Sequence, residues 1–224
     1  MPDEQSWYQS FWTYLEFTWE DLVQLTLDHV LLVIVAVALA TVIGITLGVV
    51  TYRTDRPREL VLAVTGTFLT IPSLALFGLF IAVPFLGLGG RSVTVGLLMY
   101  GLLPIVRNTI VGLREVDAAV VESAQGMGMG RLQRLRQIEL PLAWPVILTG
   151  MRVSTLVLIG IAAIGAYING PGLGELIFSG LARIGSATAL NQVLSGLLGV
   201  MVLAVLFDLA YVAVSRFTTS RGIR

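Results

Sequence analysis

The side chains that could perform covalent or metal chemistry are few in this chain, and their types narrow the possibilities. The 224 residues include no cysteine, and each of the 14 basic residues is an arginine rather than a lysine. Thiol chemistry, Schiff-base chemistry and a lysine-containing phosphate loop are therefore excluded within this sequence. The single histidine, His29, is not surrounded by a cluster of cysteine, glutamate or further histidine, so no metal site is predicted.

A second set of candidates consists of polar residues inside long apolar segments, namely Arg107, Asn108, Arg152 and Asp208. A charge buried in lipid is costly, so such a residue is expected to face a partner or a wet cavity. For Arg107, an equal alternative is that its side chain extends to the lipid headgroups. We expect Asp208 to pair with an arginine such as Arg107 or Arg152 rather than to relay protons, and Arg152 to act as an anchor near the interface.

The longest polar insert covers residues 122–141 and reads ESAQGMGMGRLQRLRQIELP. Asp117 is placed to cap a helix just before it, and the glycines that follow permit a tight turn. A second helix is predicted over residues 131–139; Pro141 is expected to end it, and Pro145 to start the next helix at a new angle. A solvated basic loop would also fit the charges, but a glycine-punctuated helix pair between apolar segments favours a docking element.

The composition indicates a membrane protein with several spans. Hydrophobic residues make up 56% of the chain and charged residues 12%, and the mean hydropathy is +0.87. Soluble domains carry about 25% charged residues. The formal net charge of +0 gives no indication of a nucleic-acid partner.

A membrane-spanning helix requires about 20 apolar residues. Five such segments are predicted, at residues 30–52, 60–86, 93–113, 145–168 and 193–215. An aromatic-rich amphipathic segment precedes them, and we expect residues 1–28 to form an interfacial helix. Because the chain starts with acidic residues, no cleavable signal peptide is expected. A basic tail, residues 218–224, follows the last span.

The distribution of arginine predicts the orientation of these spans. Ten arginines fall on one side of the five predicted spans, and only Arg91 and Arg183 fall on the other. The positive-inside rule places the arginine-rich side in the cytoplasm. The N-terminus is therefore predicted to lie outside, and residues 115–145 to form a cytoplasmic loop.

The polar insert also resembles a known sequence motif. The EAA loop of ABC importer permeases reads E-A-A, three residues, G, nine residues, I-x-L-P, and the matching positions here are Glu122, Ser123, Ala124, Gly128, Ile138, Leu140 and Pro141. The only departure at these positions is Ser123. In that family the loop is a short helix pair that sits in a groove of the ATPase subunit. The resemblance implies an all-α, type I importer-like transmembrane domain over residues 29–217.

Further segments, among them IPSLALFGLF, YGLLPIVRNT and INGPGLGELI, resemble permeases of osmoprotectant importers for glycine betaine, choline or carnitine. The resemblance covers about residues 25–217. It implies a second permease copy, ATPase subunits that bind ATP and magnesium, and an extracytoplasmic substrate-binding protein. The chain itself would be a multi-pass protein of the inner or plasma membrane, without enzymatic activity or a cofactor. Permeases for amino acids share this plan, so another small solute is an alternative.

This resemblance assigns expected roles to three groups of residues. The seven EAA positions would couple the permease to the ATPase. Asn169, Pro171 and Glu175 are predicted to lie on the external side. They would form part of an outer gate or a receptor-docking surface, or an ordinary turn with a short helix. Candidates for buried polar groups or a transport path are Arg107, Asn108, Asp208 and Tyr100. Tyr100 could offer an aromatic face to a quaternary ammonium, although packing is the commoner role of such a residue.

A protein of another class, an ion-coupled carrier that uses Asp208 and Arg107, is the main rival. Such a carrier predicts inverted repeats, and none is visible in the sequence. The sequence therefore favours the importer permease.

Overall fold

The computed structural model describes residues 7–218, and within that range every regular element is helical. The α-helices in this range are α1 (Trp7–Phe17), α2 (Trp19–Thr51), α3 (Arg56–Thr70), α4 (Ser73–Ile81), α5 (Gly90–Arg114), α6 (Ala118–Gly126), α7 (Arg131–Arg134), α8 (Leu140–Gly165), α9 (Gly174–Ala182) and α10 (Ala189–Thr218). A π-helical turn, Leu135–Glu139, joins α7 to α8, and a 3-10 turn, Ala166–Ile168, follows α8.

The chain divides into two compact units. Within the described range, the first contains residues 7–36, Pro72–Leu97 and Leu158–Leu206; the second contains Val37–Ile71, Leu98–Val157 and residues 207–218. In the second unit a buried apolar cluster is built on Leu113, Ala143 and Ile147. The predicted loop belongs to this second unit.

Four helical segments within the described range are long and apolar enough to cross a membrane: Trp19–Thr51, Gly90–Arg114, Arg131–Ile168 and Ala189–Thr218. Helices α3 and α4 together are also long and apolar enough to cross a membrane, but the pair is bent by 92° at the break between them. The number of spans is thus four, or five if the bent pair counts as one. The five-span count and the external N-terminus stay predictions.

The bend between α3 and α4 interrupts the segment that was predicted as one span over residues 60–86. Pro72 has no N–H and forces the preceding residue out of the helical region, so Ile71 is extended, with ψ of 126°. The Ile71 carbonyl is then free of the helix. The buried Tyr100 hydroxyl donates to that oxygen at 2.6 Å. Tyr100 therefore fixes the break in place.

The start of the first long helix differs from the prediction. A boundary was expected near residue 28, whereas α1 ends at Phe17 and α2 runs from Trp19 without a break. No proline or glycine lies between Trp19 and Gly44 to stop the helix. Glu20 and Asp21 occupy the first turn of α2, where their negative charges interact favourably with the positive end of the helix dipole. The acidic segment therefore extends the helix.

Helices α2, α5 and α8 pack closely at glycines in the second unit. A Cβ on Gly48 would lie 2.6 Å from the Thr109 side chain, and one on Gly112 would lie 2.9 Å from the Ala143 carbonyl oxygen. Small residues allow helix backbones to approach to this distance inside a membrane. These contacts hold the ends of the three helices that carry the site described next.

Candidate functional site

Helix α6 forms the first half of the predicted loop, and local signals determine both of its ends. The Asp117 side chain accepts a hydrogen bond from the Ala119 amide at 2.8 Å, which confirms the predicted cap. The Met129 amide donates to the Ala124 carbonyl at 3.1 Å. Between them Gly128 has φ of +82°, a backbone conformation that favours glycine. The predicted tight turn is therefore present.

The first four EAA positions lie on both faces of α6 and in the turn after it. Ala124 is buried, whereas Glu122, Ser123 and Gly128 are exposed. The Ser123 hydroxyl donates to the Ala119 carbonyl at 2.7 Å. Among residues 7–218, no ion pair or hydrogen bond engages the Glu122 carboxylate. This charge remains available to a partner.

The second half of the loop differs from the prediction that Pro141 ends a helix at residue 139. Helix α8 starts at Leu140 and continues to Gly165, so Pro141 lies in its first turn and Pro145 inside it. The Leu140 amide donates to the Leu135 carbonyl, five residues back, in a π-helical turn. This wider turn changes which amide bonds to which carbonyl. The missing N–H of the proline just after it therefore removes no regular α-helical hydrogen bond. The predicted change of helix at Pro145 is wrong as well.

The remaining EAA positions lie around this junction. Ile138 and Leu140 are half-buried, and Pro141 is exposed. Leu140 packs against the apolar cluster of the second unit. Leu140 therefore attaches the junction to the helices of this cluster.

Sequence reasoning missed a buried ionic network centred on Glu139. Its side chain is only 2% exposed, and its Oε1 accepts from Arg134 Nε at 2.6 Å and from Arg53 Nη2 at 2.9 Å. Its Oε2 accepts from the Tyr52 hydroxyl at 2.6 Å. Arg134 is itself 3% exposed. The network joins the π-turn to the end of α2, 86 residues away in sequence.

Tyr52 and Arg53 support each other at the end of α2. The Arg53 Nε donates to the Tyr52 hydroxyl at 2.6 Å, and its guanidinium lies 5.0 Å from the centroid of the Tyr52 ring. Burial raises the pKa of the Tyr52 hydroxyl, and the adjacent Glu139 raises it further. Tyr52 therefore stays protonated and donates to the carboxylate.

An open cleft of about 480 Å³ lies beside the network. Its charged lining residues are Arg53, Asp55, Arg58, Arg114, Glu122 and Glu139. Three arginines and three acids give no excess of either sign, so the lining does not select an anion or a cation. No group of three or more potential metal ligands occurs in the described part of the chain.

The polar residues predicted within apolar segments have separate roles. Asp208 pairs with Arg152, which is one of its two predicted partners. The Nε and Nη2 atoms of the guanidinium lie 2.6 and 2.7 Å from the two carboxylate oxygens. Arg107 is exposed and forms no ion pair with another residue in the range 7–218. Asn108 donates to the Pro104 carbonyl at 2.8 Å, within its own helix. The pairing of Asp208 is confirmed, and a transport role for these residues stays a prediction.

The predicted external residues lie in one segment of the first unit. Asn169 is exposed in a left-handed conformation with φ of 62°, and Glu175 is exposed in the first turn of α9. Pro171 between them is half-buried. Helix α9 matches the short helix that was expected here. Their role as a gate or docking surface stays a prediction.

Replacing Gly128 with alanine should loosen the turn after α6. A non-glycine residue at positive φ costs about 1–2 kcal/mol, so the Met129 amide should exchange its hydrogen roughly tenfold faster. Hydrogen–deuterium exchange of the peptide over residues 124–131 measures this. Gly130→Ala is the control, because Gly130 has φ of −68° and open space around it. Equal exchange in the two variants would contradict the proposed function of Gly128 in the turn.

Comparison with known proteins gives consistent matches. The family described as "Binding-protein-dependent transport system inner membrane component" matches residues 40–220. The choline transport system permease protein OpuBB of Bacillus subtilis (strain 168) is 35% identical over 211 residues, which are 94% of each chain. The osmoprotectant import permease protein OsmW of Salmonella typhimurium (strain LT2) is 38% identical over 91% of this chain and 94% of its own.

Solved structures resemble the chain in fold. A chain of the inward-facing MetNI methionine ABC transporter superposes with a TM-score of 0.77 at 23% identity, over 89% of this chain and 96% of its own. A second crystal form of the same transporter gives a TM-score of 0.78 at 24% identity. At this identity the likeness concerns the fold alone.

Proposed function

Because the chain belongs to the family of binding-protein-dependent transport system inner membrane components, we propose that it is the permease subunit of an ATP-driven importer for osmoprotectants. The cargo would be of the glycine betaine, choline and carnitine class. This choice is supported by relatives named for choline and for osmoprotectant import, which align over more than nine-tenths of the chain. The chain is a multi-pass protein of the inner membrane and is not itself catalytic.

The observation that carries this proposal is the exposed, unpaired Glu122 carboxylate on a capped helix that ends in the Gly128 turn. Such a helix can dock in a groove of a separate ATPase chain, which would bind ATP and magnesium. Nucleotide-driven closure of two ATPase subunits would then draw two such loops together. The displacement would pass into the spans as a rigid-body movement.

The remaining partners follow from the same proposal. A second permease copy would complete the passage, as a homodimer or a heterodimer. An extracytoplasmic substrate-binding protein would deliver cargo to the surface that contains Asn169, Pro171 and Glu175. The exposed Glu175 carboxylate supports this assignment, because an exposed charge can pair with a basic group on a docking protein. The loop would face the cytoplasm, since the arginines cluster on its side of the spans.

Replacing Glu122 with glutamine should uncouple transport from ATP hydrolysis. A hydrogen bond to a charged group contributes about 1.5–3 kcal/mol, so uptake should fall roughly tenfold or more. The measurement is glycine betaine uptake, and receptor-stimulated ATPase activity, in proteoliposomes that hold the permease, its ATPase and loaded receptor. Glu115→Gln is the control, because Glu115 is exposed and lies outside the EAA pattern. If both variants keep wild-type uptake and stimulation, the coupling role of Glu122 is wrong.

The cargo is tested separately with the wild-type complex. Uptake of glycine betaine should be competed by choline or carnitine and not by methionine. Competition by methionine alone would favour the amino-acid alternative. Uptake without ATP, driven by an ion gradient, would favour a carrier instead.

A further inference from the structure

We propose that the Arg152–Asp208 ion pair forms part of the wall of a water-filled passage that this chain makes with a second permease copy. The proposal rests on the proposed function as a permease. It assigns a place in the passage to two residues that pair with each other across helices α8 and α10. Three observations support it: the depth of the pair, its exposure and its polar surroundings.

The pair lies far from the ends of both helices. Arg152 is 12 residues after Leu140 and 13 before Gly165, in the middle of α8. Asp208 is 10 residues before the end of α10 at Thr218, which is about 15 Å along the axis. Both helices belong to segments that are apolar enough to span a membrane. Within the proposed spans, the charges would therefore lie at the depth of lipid hydrocarbon, rather than near the interface as was expected for Arg152 from the sequence.

At that depth the pair is not covered by this chain. The Arg152 side chain is 42% exposed and the Asp208 side chain 32%. Ionisable residues within spans face a bundle interior or a water-filled cavity rather than lipid. An arginine alone could extend to the headgroups, but an aspartate is too short to do so. The exposed face of this pair must therefore meet protein or water.

The hydrogen-bonding capacity of the pair favours water. The ion pair occupies two of the guanidinium nitrogens, Nε and Nη2, and each carboxylate oxygen has further lone pairs. A dry protein contact would have to satisfy all of these groups, whereas water satisfies them without a matched surface. The surroundings agree, because Thr149, Tyr211 and Ser215 line a cavity of about 170 Å³ together with Arg152. The Tyr211 hydroxyl also bonds to that of Thr155 at 2.8 Å.

The other side of α10 is apolar and exposed. Leu206, two residues before Asp208, is 54% exposed, and Ala210, two residues after it, is exposed as well. A helix with one polar and one apolar face at the same depth fits a position between a water-filled passage on its polar side and a contact without water on its apolar side. The second copy is the occupant we infer, because the proposed function needs a second permease to complete the passage and the exposed apolar face of α10 can pack against it.

The absence of cysteine allows a direct test by single-cysteine labelling. Thr149→Cys places a thiol on the side of α8 that carries Arg152, at an exposed position that lines the same cavity. Ala210→Cys is the matched control: it lies two residues after Asp208, about 200° around the helix, and nearer to the helix end. Each variant is assembled with its ATPase in proteoliposomes and treated with a membrane-impermeant thiosulfonate that carries a quaternary ammonium. Ser215→Cys, which lines the same cavity from α10, serves as a second probe if Thr149→Cys does not assemble.

We expect the thiol beside Arg152 to be modified roughly tenfold faster than the control, because a thiolate forms only where water reaches it. Slow modification at both positions would overturn the proposal, since the pair would then face lipid or a dry contact. Equally fast modification would overturn it too, since water would not be confined to one face. Labelling does not depend on the cargo, so a failure of the osmoprotectant assay and a failure of this inference are distinguishable.

Discussion

Replacement of Glu139 by glutamine is expected to lower the free energy of unfolding by about 3–5 kcal/mol, because it leaves a buried arginine without its counter-charge. Arg134 and Glu139 are 3% and 2% exposed, and their atoms are 2.6 Å apart. Arg53 and Tyr52 lose an anionic acceptor at the same time. The amide keeps the shape of the carboxylate, so packing alone cannot produce the loss. Chemical denaturation of the purified protein in detergent measures it.

Two further variants separate the network from general sensitivity of the loop. Glu139→Gln combined with Arg134→Gln should recover part of the loss, since the second substitution removes the unpaired buried charge. Gln137→Glu changes an exposed position of the same turn by one charge and should shift stability by less than about 0.5 kcal/mol. A double variant that is less stable than Glu139→Gln alone would show that Arg134 is not balanced by Glu139.

Replacement of Gly174 by alanine is expected to prevent correct packing of α9, at a cost of about 3 kcal/mol or more. An added Cβ would overlap the carbonyl oxygen of Ala163, and its next neighbours are further backbone atoms of that residue. Both residues are buried, and a helix backbone cannot move aside as a flexible side chain can. The yield of monodisperse protein in size-exclusion chromatography should therefore fall.

Gly160→Ala provides the comparison for this variant. Gly160 is a helical residue of α8 with no heavy atom within 4 Å of an added Cβ. Alanine is the better helix former by about 1 kcal/mol, so this variant should be as stable as the wild type or more so. If both variants elute as the wild type does, the close contact between α9 and Ala163 is not needed for folding.

The parts of the site that follow local rules were predictable from the sequence. Asp117 before an apolar-periodic segment predicted a cap, and the Gly128 position predicted a turn that only a flexible backbone can make. The matched spacing also predicts that the Glu122 carboxylate faces a partner; the structure shows this residue exposed, and the partner stays a prediction. Each of these signals lies within a few residues of the structure that it determines.

The Glu139 network could not be predicted in the same way. Glu139 occupies the variable position of the I-x-L-P pattern, and its partner Arg53 is 86 residues away. A glutamate within a basic helix is usually solvated, so nothing local indicated burial. The one available signal was Arg134, five residues before it, but only a π-turn brings that pair together.

Proline residues alone did not predict where the helices break. The chain bends by 92° at the break that contains Pro72, within a segment that was predicted as one span. Pro141 was predicted to end a helix and does not. The difference lies in the neighbours. The Ile71 carbonyl accepts a hydrogen bond from the Tyr100 hydroxyl, which stabilises the break, whereas the π-turn before Pro141 leaves no regular hydrogen bond for the proline to remove.

The continuity of helix through the π-turn has a mechanical consequence. From Arg131 to Gly165 no residue leaves a helical conformation. A displacement at the Arg131 end would therefore be transmitted along one continuous helix, and the π-turn and Pro145 are the places where that helix can bend. The hydrogen bonds of Glu139 hold this helix at its π-turn. They would therefore determine whether the helix moves as one rigid body or bends at that turn.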